Sequence, residues 1–264
     1  MSDAVLLEVA DGVATLTMNR PDRMNPLTGD VAVELDAHLA DLADRDDVRC
    51  VVLRGAGGAF SAGGDVQHLQ ENLESDDSLD ESARRIERGL GAAMARLVTC
   101  PYPTVAAVDG PAVGAGATLA IACDVVLASE SAAIGFVFDQ VGLSVDGGTS
   151  YLLPRVVGLN VAKELVFTGE VCDPERAADL GLFNHVYADA AFDDEVAALA
   201  AEIAAGPTVA LRHSKRLLQD GLDKSLQEAI HDEALAQGVV FDTDDHAEGV
   251  RAFFEDRAPE FEGH

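Results

Sequence analysis

The order of apolar and polar positions changes character along this chain, and the change predicts two regions. Through the first two thirds, short apolar runs alternate with amphipathic stretches, the mark of a mixed α/β fold rather than of strands alone. Residues 5–9 and 13–18 flank Asp11-Gly12, a strong hairpin signal. Thr28 is a candidate N-cap for a helix that sets Val31, Leu35, Leu39 and Leu42 on one side. Residues 49–53, 105–108 and 125–128 read as buried strands. Beyond Asp189 helical patterns take over at 196–203, 209–218 and 225–239, punctuated by Gly206-Pro207 and Gly221. The chain is therefore expected to divide into a mixed core, 1–188, and a helical C-terminal region, 189–264.

Two glycine-rich segments interrupt the first region. Gly57-Gly58-Ala59-Phe60-Ser61-Ala62-Gly63-Gly64-Asp65 follows one apolar strand pattern, and Gly110-Pro111-Ala112-Val113-Gly114-Ala115-Gly116 follows another. Each precedes a helical pattern. Chain that leaves a strand and enters a helix through glycines offers unpaired N–H groups at a positive dipole end. Two such places can aim one donor each at a single oxygen, the requirement for an oxyanion hole.

Composition narrows the partners. The 264 residues suffice to bury a substantial core, and they carry 47 acidic against 18 basic side chains, a net charge of −29. Only Lys163, Lys215 and Lys224 are lysines. Such a surface repels nucleic acid and anionic membranes. The acidic, lysine-poor balance is that of a protein adapted to a salty cytoplasm, where counterions screen self-repulsion. No apolar run approaches the roughly 18 residues of a membrane span, and Met1-Ser2-Asp3-Ala4 lacks the basic and apolar parts of a secretory signal. A soluble, cytoplasmic protein is expected. Cys50, Cys100, Cys123 and Cys172 are widely spaced, suggesting neither disulfides nor a zinc site. His68 and His185 have no metal-ligand or nucleophile-base companions at useful spacing. Gly114-Ala115-Gly116 superficially fits a dinucleotide fingerprint, but residues 109–113 separate it from its strand, and nicotinamide binding is not expected.

Three groups of motifs in one order carry a family resemblance. They are Phe60-Ser61-Ala62-Gly63-Gly64-Asp65; the stretch from Asp109-Gly110 through Leu119-Ala120 to Cys123-Asp124; and Gly142-Leu143 with Gly147-Gly148 and Leu153-Pro154-Arg155. Together they resemble the crotonase, or enoyl-CoA hydratase/isomerase, superfamily, and the likeness runs from residues 13–21 to 251–261. The resemblance implies a spiral of repeated ββα turns followed by a helical C-terminal region that makes trimer or hexamer contacts. It implies an acyl-CoA thioester as substrate, stabilisation of an enolate, and no cofactor beyond the coenzyme A of the substrate itself. By position, the N–H groups of Ala62 and Gly114 match the family's oxyanion hole.

The general base decides the reaction. Hydratases of this family carry two glutamates, one four residues beyond the Gly114 position and one four residues before the Gly142 position. Thr118 and Phe138 stand there, and neither can act as a carboxylate base. One carboxylate remains well placed by resemblance: Asp146, in Gly142-Leu143-Ser144-Val145-Asp146-Gly147-Gly148, matches the catalytic aspartate of family isomerases that shift double bonds or rearrange ring epoxides. Phe136, Val137, Phe138, Val141, Leu143 and Val145 make its surroundings apolar in sequence, which raises a carboxyl pKa. The competing role for Asp146 is an N-cap for the following helix, which lowers it.

For coenzyme A, Arg20-Pro21-Asp22-Arg23-Met24-Asn25 resembles the family segment bordering the nucleotide. Arg23 is placed to contact a phosphate, Met24 to line the adenine pocket, and Ala62, Gly63, Gly64, Asp65 and Gly114 to shape the channel; Arg257 is a further phosphate candidate from the helical end. The acidic stretch 74–81 is expected to be covering chain over the site. The expected activity is acyl-CoA isomerisation through Asp146. The alternatives are hydration using Asp146 with Glu71 or Glu74, and a noncatalytic acyl-CoA-binding protein.

Overall fold

The computed structural model describes residues 3–65 and 78–264. Its strands are β1 (Val5–Ala10), β2 (Val13–Met18), β3 (Cys50–Gly55), β4 (Thr104–Val108), β5 (Pro111–Val113), β6 (Val125–Ser129), β7 (Ala133–Gly135), β8 (Val171–Cys172) and β9 (His185–Tyr187). Its α-helices are α1 (Gly29–Leu42), α2 (Leu79–Ile86), α3 (Ala92–Val98), α4 (Ala115–Ile121), α5 (Thr149–Val157), α6 (Leu159–Thr168), α7 (Pro174–Asp179), α8 (Phe192–Ala204), α9 (Thr208–Gly221), α10 (Leu226–Val240) and α11 (Asp244–Glu255).

Strands β1 and β2 form the expected hairpin. Asp11 and Gly12 both take positive φ, 50° and 80°, the backbone a two-residue primed turn demands. From β2 onward the large sheet is parallel, in the order β1-β2-β3-β4-β6-β9. A small second sheet runs β5-β7-β8. Successive turns therefore place one strand in the large sheet, a short strand in the small one, and then a helix: β4-β5-α4 is one such turn, and β6-β7 begins the next. This is the crotonase spiral.

Alternation along the central strands explains why they read as unbroken apolar runs. Val51, Leu53, Ala106, Val108, Val126 and Ala128 enter the main core. Their neighbours Cys50, Val52, Val105, Ala107 and Leu127 enter a second core, closed by Phe192, Val196, Ala200 and Ala204 of α8. Both faces of the sheet are thus covered. All four cysteines are free and buried, and burial pushes the Cys50 thiol up to about 12. Val31, Leu35, Leu39 and Leu42 of α1 are buried as the spacing predicts. Thr28 occupies the N-cap position without making the cap bond, because its hydroxyl bonds to the Asp30 carboxylate instead.

The C-terminal helices carry many exposed large apolar residues, Leu218, Leu226, Phe253 and Phe254 each being at least three-quarters exposed. The chain end returns to the core. Arg49 donates to the carbonyls of Ala204 and Phe261, and the buried Asp245 carboxylate accepts from the amides of Glu262 and Gly263. Among the described residues, no helix is long and apolar enough to cross a membrane.

Of the acidic stretch 74–81, residues 74–77 lie outside the described residues, as do Glu71 and His68. The rest begins helix α2 rather than a loop. Ser78 and Glu81 form a reciprocal capping box, a Ser-x-x-Glu signal present in the sequence.

Candidate active site

The site is built where the loop after β3 meets the turn from β5 into α4. Asn25, essentially buried, organises the first loop: its Nδ2 donates to the carbonyls of Ala56 and Ala59, and its Oδ1 accepts from the Arg20 amide. The Asn25 carbonyl in turn accepts from the Ser61 hydroxyl at 2.8 Å. Ser61 then pairs with the small sheet, its amide donating to Pro111 O and its carbonyl accepting from Val113 N, both at 3.0 Å. Residues 61–64 and 112–115 consequently run side by side in the same direction.

Close approach requires glycine at two points. A Cβ on Gly63 would lie 2.5 Å from Val113 O and 3.4 Å from Ala115 N; one on Gly116 would lie 2.7 Å from Ser61 O. Accounting for the amides then corrects the expected donors. Ala62 N–H donates to Met24 O and Gly114 N–H to Gly135 O, each at 2.8 Å, so neither points at a ligand. Among the described residues where the two loops meet, the amides of Gly64 and of Ala115, the first residue of α4, have no acceptor in the protein. The physical reason is register. Gly114 is the N-cap, and helix amides become orphans only after the cap, starting at Ala115. Ala62 and Gly114 remain as the scaffold that holds the neighbouring amides open.

Asp146 lies in the turn before α5. It does not cap that helix: Gly148 is the N-cap, with no side-chain cap bond. Its carbonyl accepts both the amide (3.0 Å) and the hydroxyl (2.7 Å) of Thr149, leaving the carboxyl free of the helix end. Carboxyl oxygen Oδ1 is buried and has no hydrogen-bond partner. Burial, with no charged neighbour contributing, holds the Asp146 pKa above the ordinary carboxylate value. The covering groups differ in part from those expected. Phe136 and Phe138 are buried, whereas Val141 and Leu143 are exposed. The adjoining Gly147 instead lies over α3 and α4, where a Cβ would meet Met94 at 3.6 Å and Thr118 Cγ2 at 3.7 Å. The turn that carries Asp146 thereby packs, through Gly147 and Thr149, on Thr118 of the helix that presents the Ala115 amide. Thr118 and Phe138, at the positions of the hydratase glutamates, are both buried, and the Thr118 hydroxyl meets that of Thr149 at 2.6 Å.

Arg23 and Met24, expected near coenzyme A, are both tied to the first glycine loop. Arg23 pairs with Asp65 at 2.7 Å, closing the 20–25 turn onto the first glycine loop. Met24 is in the left-handed region and half exposed, and its carbonyl anchors Ala62. Arg257, the further phosphate candidate, is held by Glu248 and Glu255, and the pairing pulls the Glu248 carboxyl down to about 2. Asp124 accepts from the Thr104 amide, pairs with Lys215 at 2.7 Å and is structural. Thr149, the Ala115 amide and the organising role of Asn25 are what the sequence alone did not single out. Among the described residues, no group of three or more His, Cys, Asp or Glu gathers to hold a metal.

A spiral of this kind with paired glycine loops defines a class, and comparison with known proteins gives the family. The enoyl-CoA hydratase/isomerase family model matches residues 8–264, and the chain belongs to that family, within the crotonase superfamily. A Thermus thermophilus protein provisionally named an enoyl-CoA hydratase is 40% identical over 257 residues, 97% of this chain and 100% of its own. The 1,2-epoxyphenylacetyl-CoA isomerase of Escherichia coli is 34% identical over 263 residues, 100% of both chains. The crystal structure of an enoyl-CoA hydratase from Bacillus anthracis superposes with a TM-score of 0.92 at 28% identity, covering 99% of this chain and 100% of that one. The protein is an enzyme of this family.

Proposed function

We propose that the protein isomerises an unsaturated or ring-epoxide acyl-CoA thioester, with Asp146 as the sole proton-transfer group. The observation that carries this reading is an Asp146 carboxyl whose Oδ1 is buried with no hydrogen-bond partner, in a chain whose two hydratase positions hold Thr118 and Phe138. In a double-bond shift, the Asp146 carboxylate takes a proton from one carbon. The electron pair moves onto the thioester oxygen, which the Gly64 and Ala115 amides stabilise, and the protonated Asp146 returns the proton to another carbon. Each amide is worth about 3 kcal/mol to the developing anion. Atoms balance without water, oxidant or metal. Arg23, Met24, Gly63 and Asp65 border the path of the coenzyme A chain. The exposed apolar residues of α9, α10 and α11 support assembly into a trimer or hexamer.

Because the base must be ionised, activity rises with pH through the elevated pKa of Asp146, placing the acid limb above the ordinary carboxylate range. The hydratase names among the relatives favour a second reading, addition of water to a 2-enoyl-CoA. Incubating the protein with 3-enoyl-, 2-enoyl-, dienoyl- and epoxyphenylacetyl-CoA separates the two. A product of unchanged mass that disappears in Asp146→Asn supports isomerisation. Gain of one water as the main reaction, or full turnover by Asp146→Asn, overturns it.

A further inference from the structure

Two buried hydroxyls occupy the space beside Asp146. Thr118 and Thr149 are 0% and 1% exposed, and their Oγ1 atoms are 2.6 Å apart. Each hydroxyl has one proton to give. That of Thr149 goes to the Asp146 carbonyl at 2.7 Å, so Thr118 is the donor between the two threonines. Its other acceptor, Gly114 O, is 3.4 Å away. The bonds run in one direction, from Thr118 to Thr149 to the backbone of Asp146.

We propose that Thr149, oriented by Thr118, is a positioning residue that anchors the Asp146 backbone so that its carboxyl stays off the start of α5 and faces the substrate. This rests on the reading of Asp146 as the base. An aspartate just before a helix ordinarily caps it. Here the first turn even offers a free amide, that of Ser150, and Gly147 and Gly148, at φ 59° and 94°, form a pliant link. The doubly bonded carbonyl of Asp146 is what holds the carboxyl away from it. Among the described residues, no charge competes for that role. Arg96 of α3 is paired with Asp36 and Arg155 of α5 with Asp223; α4 has no charged residue, and Asp139 of the preceding turn lies against Gly169. Thr118 thus has an assignment of its own at a position where hydratases activate water.

The test compares Thr149→Val, Thr149→Ser and Thr118→Val with Asp146→Asn. Turnover, KM and the pH profile of kcat/KM are measured, and the Asp146 carboxyl is titrated directly by carbon-13 NMR. Without the Thr149 hydroxyl the carboxyl can cap α5, which favours its ionised form. Thr149→Val is therefore expected to lose about tenfold to a hundredfold in kcat with KM little changed, and to move both the acid limb and the carboxyl titration to lower pH. Thr149→Ser restores both, and Thr118→Val gives a smaller change in the same direction. A folded Thr149→Val with unchanged turnover and acid limb, or a Thr149→Ser as impaired as Thr149→Val, overturns the proposal. Should Thr149→Val not fold, Thr118→Val decides, and an unshifted limb there overturns it. Inactive Asp146→Asn beside normal Thr149→Val removes only the positioning role; active Asp146→Asn removes the base itself and this inference with it.

Discussion

Gly63→Ala tests the pairing of the two donor loops directly. The added Cβ would stand 2.5 Å from Val113 O and 3.4 Å from Ala115 N, both backbone atoms that cannot swing aside as a side chain would. Restoring a normal nonbonded contact requires the strands to part by about 1 Å. Gly63 also has φ of 82°, where an L side chain costs about 1–2 kcal/mol. The strand separation adds a similar overpacking cost, so the variant is expected to lose about 2–4 kcal/mol of stability. The same shift moves Gly64 relative to Ala115. Losing the aim of one of two donors costs about a hundredfold to a thousandfold in turnover. Urea unfolding and kcat on the preferred thioester measure the two effects separately. Gly58→Ala is the control, because its Cβ meets nothing within 4 Å and its backbone is not left-handed. A folded Gly63→Ala with turnover within about twofold of the wild type would falsify the assignment of the donor pair to Gly64 and Ala115.

Asp146→Asn should stabilise the protein while removing the proposed base. Burial raises the folded-state pKa of Asp146 above the ordinary value of 3.8, so the folded state holds that proton more tightly than the unfolded one. Stability of the wild type accordingly falls as pH climbs from the ordinary carboxylate range through the raised pKa. The variant's melting temperature should exceed the wild type's at neutral pH, with the margin shrinking in acid; an equal margin at all pH values would show that burial does not disfavour the charge. Asn25→Ala removes the bonds to Ala56, Ala59 and Arg20 and places alanine at a φ of 51°. The expected loss is about 3 kcal/mol by urea unfolding, and a loss under about 1 kcal/mol would deny Asn25 its organising role. With a net charge of −29, thermal stability should rise between low and molar KCl as screening shortens from about 10 Å to about 3 Å. A melting temperature indifferent to KCl sinks the expectation of salt adaptation.

What the sequence made legible follows the range of the interactions involved. The Asp11-Gly12 turn, the apolar face of α1 and the buried central strands are each decided by residues a few positions apart, and period or turn chemistry exposes them. The donor amides were misplaced because their availability depends on distant carbonyls. Nothing near Gly114 says that Gly135 O will take its proton, and nothing near Ala62 points to Met24. Cap logic would have moved one of the two: with Gly114 as cap, the first orphan amide is that of Ala115. The capping box at Ser78 and Glu81 was a local signal in an acidic run whose charge drew the reading toward a loop. Thr149 had no sequence signal at all, because its partner hydroxyl on Thr118 is 31 residues away.

The replacement of two carboxylates alters more than the capacity to hold water. Had residues 118 and 138 been glutamates, any that neared Asp146 would raise or split its titration. With a threonine and a phenylalanine there, Asp146 titrates by itself and its shift has burial as the only cause. A lone carboxyl is suited to a reaction that must take a proton and give the same one back. No neighbouring described base can accept it, and no charged partner holds the carboxylate in its ionised form. Hydration asks for the opposite arrangement, two groups of different protonation state on either side of a water molecule. The buried Phe138 and the hydroxyl bonds of Thr118 are thus what the proposed isomerase reading rests on, on a backbone that both classes share.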